Sequence, residues 1–228
     1  MTIILAIDVG GSGIKGMLVD ELGEPQSDRL RLETPKPSKT AAVLATIEEL
    51  ARQLPGFDLV GVGFPGIVQG GITRGAVNLG SSWDDFPLAA VLADRLGKPV
   101  QVANDADVQG MAAIRGDGVE LVLTLGTGLG SALFLDGRLV PNLELGQHPW
   151  RDNLRYEDWL GNAALERDGK KRWNTHLHRA IATLRPIFNF DRLYLGGGNA
   201  KHAEVTVDFP LEIVANRLGL IGCARLWR

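Results

Sequence analysis

One segment near the start of the chain, from Ile3 to Val19, limits the possible folds more than any other. It reads IILAIDVGGSGIKGMLV: an apolar run closed by one acid, Asp8, then a loop of Gly10, Gly11, Ser12 and Gly13, then a second apolar run from Ile14. Alternation and β-branched residues on both sides of the loop predict two strands of a hairpin. The glycines allow a tight turn and leave backbone N–H groups uncovered, which suits an anion such as phosphate. Asp8, at the mouth of the loop, is placed to hold a metal ion that screens phosphate charge. An ordinary glycine-rich turn has the same composition, and the acid on the strand end is what favours phosphate. The loop runs into another strand, through Lys15 and Gly16, so it is not the dinucleotide fingerprint, in which a helix follows.

The 228 residues suffice for one domain or two small ones. Hydrophobic residues make up 45% and charged residues 22%, as in soluble globular proteins. A formal charge of −3 argues against a nucleic-acid partner. Cys223 is the sole cysteine, which excludes an internal disulfide and a Cys-rich zinc site. No apolar run is long enough to span a bilayer and no signal peptide is visible, so no membrane association and a cytoplasmic location are expected.

Leu30 to Glu33 predicts a third strand, and Ser38 the N-cap of a helix to about Leu54 with Val43, Leu44, Ile47, Leu50 and Leu54 on one face. Leu59 to Phe64 reads as a buried strand, and Gly70-Gly71 as the tip of a small hairpin. Asp84 or Asp85 is expected to cap a second helix that ends at Gly97, before a strand at Val100 to Ala103. This is a ribonuclease-H-like α/β order. A similar unit follows: strand Glu120 to Leu125, a second glycine loop Gly126-Thr127-Gly128-Leu129-Gly130-Ser131, return strand Ala132 to Leu135 and turn Asp136-Gly137. A helix from about Lys171 to Phe188, burying Trp173, Leu177, Ile181 and Leu184, precedes strand Arg192 to Leu195 and a third loop, Gly196-Gly197-Gly198. There is no residue-by-residue repeat, but the recurring strand–glycine–strand units predict two related subdomains around a central cleft.

Three glycine loops after strands are suited to surrounding a polyphosphate chain. Asn104-Asp105 opens a helix after the strand at Val100. Asp105 is either an N-cap or an acid that accepts the proton of an attacking hydroxyl, with Asp107 as its rival on the same turn. His176 and His178 lie two apart on a helix, which is wrong for a metal pair, and read as surface or boundary histidines. Trp83, Trp150 and Trp159 read as packing anchors, and Cys223 as a buried inert thiol. Lys170, Lys171 and Arg172, with Arg172, His176 and Arg179 on one helix face, form either a solvated surface or a track for a long polyanion.

Asp8 to Lys15, Gly63-Phe64-Pro65-Gly66, Asn78, Trp83, Asn104-Asp105-Ala106, Gly126 to Ser131, Glu144-Leu145-Gly146 and Leu195 to Gly198 occur in an order that resembles the ROK family. ROK proteins are sugar kinases and sugar-responsive repressors of the actin-like superfamily. Within the family, the Gly-Gly-Ser-Gly-Ile-Lys-Gly motif looks most like the polyphosphate glucokinase branch. The similarity covers nearly the whole chain and is weakest between about Pro149 and Lys171. It implies an actin-like duplicated fold, with residues 1–104 plus about 217–228 in one subdomain and 105–216 in the other. It also implies a homodimer.

The same resemblance implies roles. Asp105 matches the general base, Asn78 and Asn104 residues that bond the sugar ring, and Glu144 an acid that clasps ring hydroxyls. Asp8 matches the Mg2+-linked acid. Gly10, Gly11, Ser12, Gly13 and Lys15, then Gly126, Thr127, Gly128 and Gly130, then Gly196, Gly197 and Gly198, match the loops that hold the phosphoryl donor, polyphosphate or ATP. The family's Glu-x-Gly-His motif reads Glu144-Leu145-Gly146-Gln147 here, with His148 one place late. Gln147 both donates and accepts, so a sugar site with altered preference is expected. The family's zinc motif is absent, and the first strand starts at once, so a DNA-binding repressor is not expected. The expected function is transfer of a phosphoryl group from polyphosphate or ATP to a hexose, glucose at its 6-hydroxyl. The alternatives are an idle sugar or nucleotide sensor and a polyphosphate hydrolase.

Overall fold

The computed structural model describes residues 1–76, 79–215 and 218–228. The chain forms two compact units, Met1–Ala112 with Arg217–Arg228, and Ala113–Asn216.

In the first unit the opening segment is a hairpin of β1 (Ile3–Val9) and β2 (Gly13–Asp20), with β3 (Leu30–Glu33) beside β2. After α1 (Thr40–Gln53), β4 (Leu59–Phe64) pairs in parallel with β1. A small hairpin follows, β5 (Ile67–Gln69) with β6 (Ile72–Arg74), then α2 (Leu88–Leu96). The last strand, β7 (Val100–Asn104), lies parallel to β4 and leads into α3 (Asp105–Ala113). The sheet order is β3-β2-β1-β4-β7. The unbroken apolar run of β1 follows from burial on both faces. Leu5, Ile7 and Val9 pack with Val43, Leu44, Ile47 and Leu50 of α1, while Ile4 and Ala6 pack with Val108, Leu220, Cys223 and Ala224.

The second unit repeats this plan. Strands β8 (Val119–Leu125), β9 (Leu129–Leu135) and β10 (Arg138–Val140) form an antiparallel meander. Two very short strands, β11 (Pro149–Arg151) and β12 (Leu154–Arg155), precede α4 (Tyr156–Leu160) and α5 (Asn162–Phe188). Strands β13 (Arg192–Gly196) and β14 (Leu211–Ile213) then add in parallel to β8, giving the order β10-β9-β8-β13-β14. Each sheet therefore has three antiparallel strands continued by two parallel ones, which is the duplicated actin-like plan. Back in the first unit, α6 (Leu218–Ile221) and a 3₁₀ turn at Gly222–Trp227 close the chain. Gly222 lies so near α3 that a Cβ there would stand 1.8 Å from the Val108 carbonyl oxygen.

Several local expectations are corrected. Ser38 does not cap α1: Lys39 holds the cap position, and the buried Ser38 hydroxyl donates to the Pro35 carbonyl at 2.9 Å. Neither Asp84 nor Asp85 caps α2, which starts after Pro87. Asp84 instead accepts from Gly75 N at 2.9 Å and Asp85 from Arg74 at 2.7 Å. The helix expected from Lys171 is preceded by a helical stretch from Asn162, and the two are separated by a break at Gly169 (φ 73°, ψ 161°). His176 leaves the expected cationic face. It is buried, with its ring 4.7 Å from that of Trp159 and Nε2 3.7 Å from Asp168. Burial first, offset in part by Asp168, holds its pKa below the usual range. Among the described residues no helix is long and apolar enough to cross a membrane.

Candidate active site

In the first unit the loop between β1 and β2 is fixed by its carbonyl groups. Thr34 Oγ1 donates to Gly10 O at 2.5 Å, Lys36 Nζ to Gly11 O at 2.7 Å and Arg31 Nη2 to Ser12 O at 3.0 Å. Gly10 N closes the turn on Gly13 O at 3.0 Å. With its carbonyls tied from outside, the loop has its remaining N–H groups to offer to an anion. Sequence reading missed Arg31, Thr34 and Lys36 because their role depends on tertiary position. Lys15, directly across the hairpin from Asp8, donates to Asp8 Oδ2 at 2.7 Å, and both side chains are about one quarter to one third exposed.

At the end of β7, Asn104 rather than Asp105 serves as the cap of α3. Its Oδ1 accepts from Ala106 N at 2.8 Å and Asp107 N at 3.3 Å, and its Nδ2 donates to Gly66 O at 3.1 Å. Asp105 therefore occupies the first helical position, with Oδ1 accepting from Ala106 N at 2.8 Å. It is partly exposed, whereas Asp107 is only 2% exposed. Asn78, the other expected sugar contact in this unit, lies outside the described residues.

In the second unit the Gly126–Gly128 turn is held in the same manner. Asn162 N donates to Gly126 O at 2.9 Å and Asn199 Nδ2 to the same oxygen at 3.2 Å, while Gly126 N bonds Gly128 O at 3.1 Å. Asn199 N donates to Leu125 O at 2.9 Å, so one residue braces the second loop from just beyond the third. Gly197 has φ 83°, and a Cβ there would stand 2.3 Å from Leu125 O, so this position requires glycine. Thr127 and Gly130 stand on the second loop and its return strand, and Gly196 and Gly198 flank Gly197.

The segment carrying Glu144 and Gln147 is pinned to β9. Ser131 Oγ donates to Leu143 O and accepts from Leu145 N, and Gly146 lies where a Cβ would meet Leu129 O at 2.1 Å. Glu144 is half-buried, and burial, then the Glu157 carboxylate, pushes its pKa above the usual range. Glu157 in turn lies against Gly128, where a Cβ would meet Oε2 at 2.6 Å. Gln147 Oε1 accepts from Arg155 Nη1 at 2.6 Å, and that guanidinium also pairs with Glu157 and Asp158. Glu157 and Arg155 were not legible as site residues, since Arg155-Tyr156-Glu157 carries no motif by itself. The second unit thus groups two carboxylates, an amide and two backbone loops, a set suited to polyol hydroxyls and phosphate. The first unit supplies a phosphate-type loop, a metal-competent acid and a carboxylate at a helix start.

The sequence model of the ROK family matches residues 4–143. The polyphosphate glucokinase of Mycobacterium tuberculosis (strain CDC 1551 / Oshkosh) is 33% identical, over 96% of this chain and 88% of that protein. The crystal structure of an inorganic polyphosphate/ATP-glucomannokinase from Arthrobacter sp. strain KM superposes with a TM-score of 0.91 at 34% identity, covering 99% of this chain and 98% of the other. A ROK family glucokinase from Streptomyces griseus, crystallised with glucose and AMPPNP, shares the fold with a TM-score of 0.83 at 19% identity, over 98% of both chains.

Proposed function

The chain belongs to the ROK family, and on that premise we propose that it is a hexose kinase that takes its phosphoryl group from polyphosphate, ATP or both. The observation that carries the reading is Asp105, a partly exposed carboxylate at the first position of α3, with the neighbouring cap supplied by Asn104. Because Asn104 does the capping, Asp105 is not needed for it. As general base, Asp105 takes the proton of the sugar hydroxyl as that oxygen attacks phosphorus. Asp107, the rival, is buried in the same turn and out of reach of a substrate.

Glu144 and Glu157 accept hydrogen bonds from ring hydroxyls, and Asn78 and Asn104 complete the sugar contacts. Glucose, at its 6-hydroxyl, is the substrate proposed. The loops at Gly10–Gly13, Gly126–Gly130 and Gly196–Gly198 bind the donor through backbone N–H groups, with Lys15 as an added cation. Asp8 fits magnesium: the ion needs only one or two carboxylates and fills its shell with water and phosphate oxygens. Bound magnesium would supply charge neutralisation of the donor phosphates.

The relatives that act on polyphosphate support that donor, as does the exposed cationic start of the second part of α5, Lys170 to Arg172. Initial rates over a matrix of donors and sugars test the reading. Sugar-dependent consumption of donor is expected, while consumption without sugar would indicate a hydrolase and none at all a sensor. Asp105→Asn should lower kcat by roughly 10²- to 10⁴-fold with sugar affinity nearly unchanged. Near wild-type turnover in that variant would transfer the role to another group.

A further inference from the structure

The one place where this chain departs from its family's sugar motif, Gln147, is held by a residue no motif includes. Arg155 Nη1 donates to Gln147 Oε1 at 2.6 Å. The guanidinium cannot turn away easily. Its Nε and Nη2 reach Asp158 Oδ2 and Oδ1 at 3.2 and 3.0 Å, and Nη1 also lies 2.9 Å from Glu157 Oε1. The Arg155 backbone N–H is itself held by Asp158 at 2.8 Å. At its other end, Gln147 is rooted in the turn that begins at Glu144, through its own N–H to Glu144 O at 3.1 Å.

An amide can ordinarily present either its oxygen or its nitrogen to a ligand. A guanidinium has five donors and no acceptor, so only the oxygen of Gln147 can face Arg155. The group left for a ligand is then the NH₂, with two donors and no acceptor. We propose that Arg155 is a positioning residue for sugar selection: it fixes the Gln147 amide so that position 147 only donates hydrogen bonds. The inference rests on the reading that Gln147 faces the hexose. A histidine at this position can donate, accept or carry charge according to its protonation. The Gln147–Arg155 pair offers one fixed polarity, next to carboxylates that only accept. The sugar oxygen opposite Gln147 must therefore be an acceptor, and its own proton must go elsewhere.

Calorimetric binding of glucose analogues, with each ring hydroxyl replaced in turn by hydrogen or by fluorine, tests this. Fluorine accepts weakly and cannot donate, while hydrogen does neither. In the wild type one ring position should tolerate fluorine within about threefold in Kd but lose about tenfold or more with hydrogen. In Arg155→Ala the amide is free to turn, and that gap should shrink to less than about twofold, with Arg155→Lys restoring most of it. Gln147→Glu, which cannot donate, should make fluorine at least as damaging as hydrogen at that position. Arg155→Ala keeping the wild-type gap, or weakening every analogue in parallel, would overturn the positioning role. Should Arg155→Ala fail to fold, an unchanged gap in Gln147→Glu would overturn it equally. A wild type that binds no hexose at all would sink the kinase reading and this inference with it, whereas normal binding without any gap removes only the inference.

Discussion

The strands that carry the second and third glycine loops start from a buried charge, and replacing that charge tests how the second unit is held together. Glu120 is fully buried on β8. Its Oε1 accepts from Tyr194 Oη on β13 at 2.6 Å and Arg115 N at 2.9 Å, and its Oε2 from Gly116 N at 2.7 Å and Asp117 N at 3.2 Å. Glu120→Gln keeps size and shape but turns one oxygen into a donor; with the NH₂ at the Oε1 position it can donate to Tyr194 Oη, and the Arg115 N–H is the donor that loses its acceptor on residue 120. At about 1–3 kcal/mol for an unsatisfied buried donor, the loss is about 1–3 kcal/mol. For a chain of this length each kcal/mol shifts Tm by roughly 2–4 °C, so a drop of roughly 2–12 °C is expected at pH 7.

The pH dependence gives an independent check on Glu120. Burial by itself pushes its pKa up, but Tyr194 and the three N–H donors outweigh it and hold the carboxyl below the usual range. A lowered folded-state pKa means stability that is present above the unfolded value, about 4.3, and lost as pH falls through the folded one. The deficit of Glu120→Gln in urea unfolding should therefore be full from pH 6 to 8 and shrink below about pH 4. A variant within about 0.5 kcal/mol of wild type at pH 7, or a deficit undiminished at low pH, would refute the reasoning.

Two further outcomes follow from the site. Burial and the Glu157 charge raise the Glu144 pKa, so its ionisation costs stability as pH rises past the unfolded value. Glu144→Gln should melt above wild type at pH 7.5, lose that advantage toward pH 4, and bind glucose about 5- to 100-fold more weakly; a lower Tm at every pH would contradict this. Replacing Lys170, Lys171 and Arg172 together with Gln should raise KM for long polyphosphate and flatten its salt dependence while leaving ATP almost unaffected. Because Lys170 already pairs with Glu204 at 2.5 Å, Lys171 and Arg172 should account for most of the effect, and equal loss with both donors would mean damage to the fold.

What was legible in the sequence follows from how local the determining physics is. The first hairpin, α1 and β4 announce themselves because their apolar periodicity reflects burial that neighbouring residues share. Helix starts were harder to place. Ser38 and Asp84 have the chemistry of caps, but Ser38 is drawn to Pro35 and Asp84 to Gly75, and both helices begin without a side-chain cap. Stability from the packed face of each helix makes the cap dispensable. Strands of two or three residues such as β11, β12 and β14 leave too little pattern to read.

The site divides along the same line. Asp8, Asp105 and the glycine loops sit at strand ends, where a residue type and its position in the chain already imply what it faces. Residues that hold those groups in place do not have that property. Thr34, Lys36 and Arg31 tie the first loop, Asn162 and Asn199 the second, and Arg155 the Gln147 amide. In each case a side chain, or for Asn162 the backbone N–H, reaches an oxygen eight or more residues away, and its own neighbours give no hint of it. His176 shows the converse error. Helical spacing assigns it to the face of Arg172 and Arg179, but Trp159 and Asp168, supplied by other turns, cover that part of the helix. Periodicity finds the face a helix turns to its first neighbour, and a second neighbour that covers part of the polar face is invisible to it. The groups proposed for catalysis can thus be named from the sequence, while the polarity each presents to a ligand is decided by partners that only the fold brings within reach.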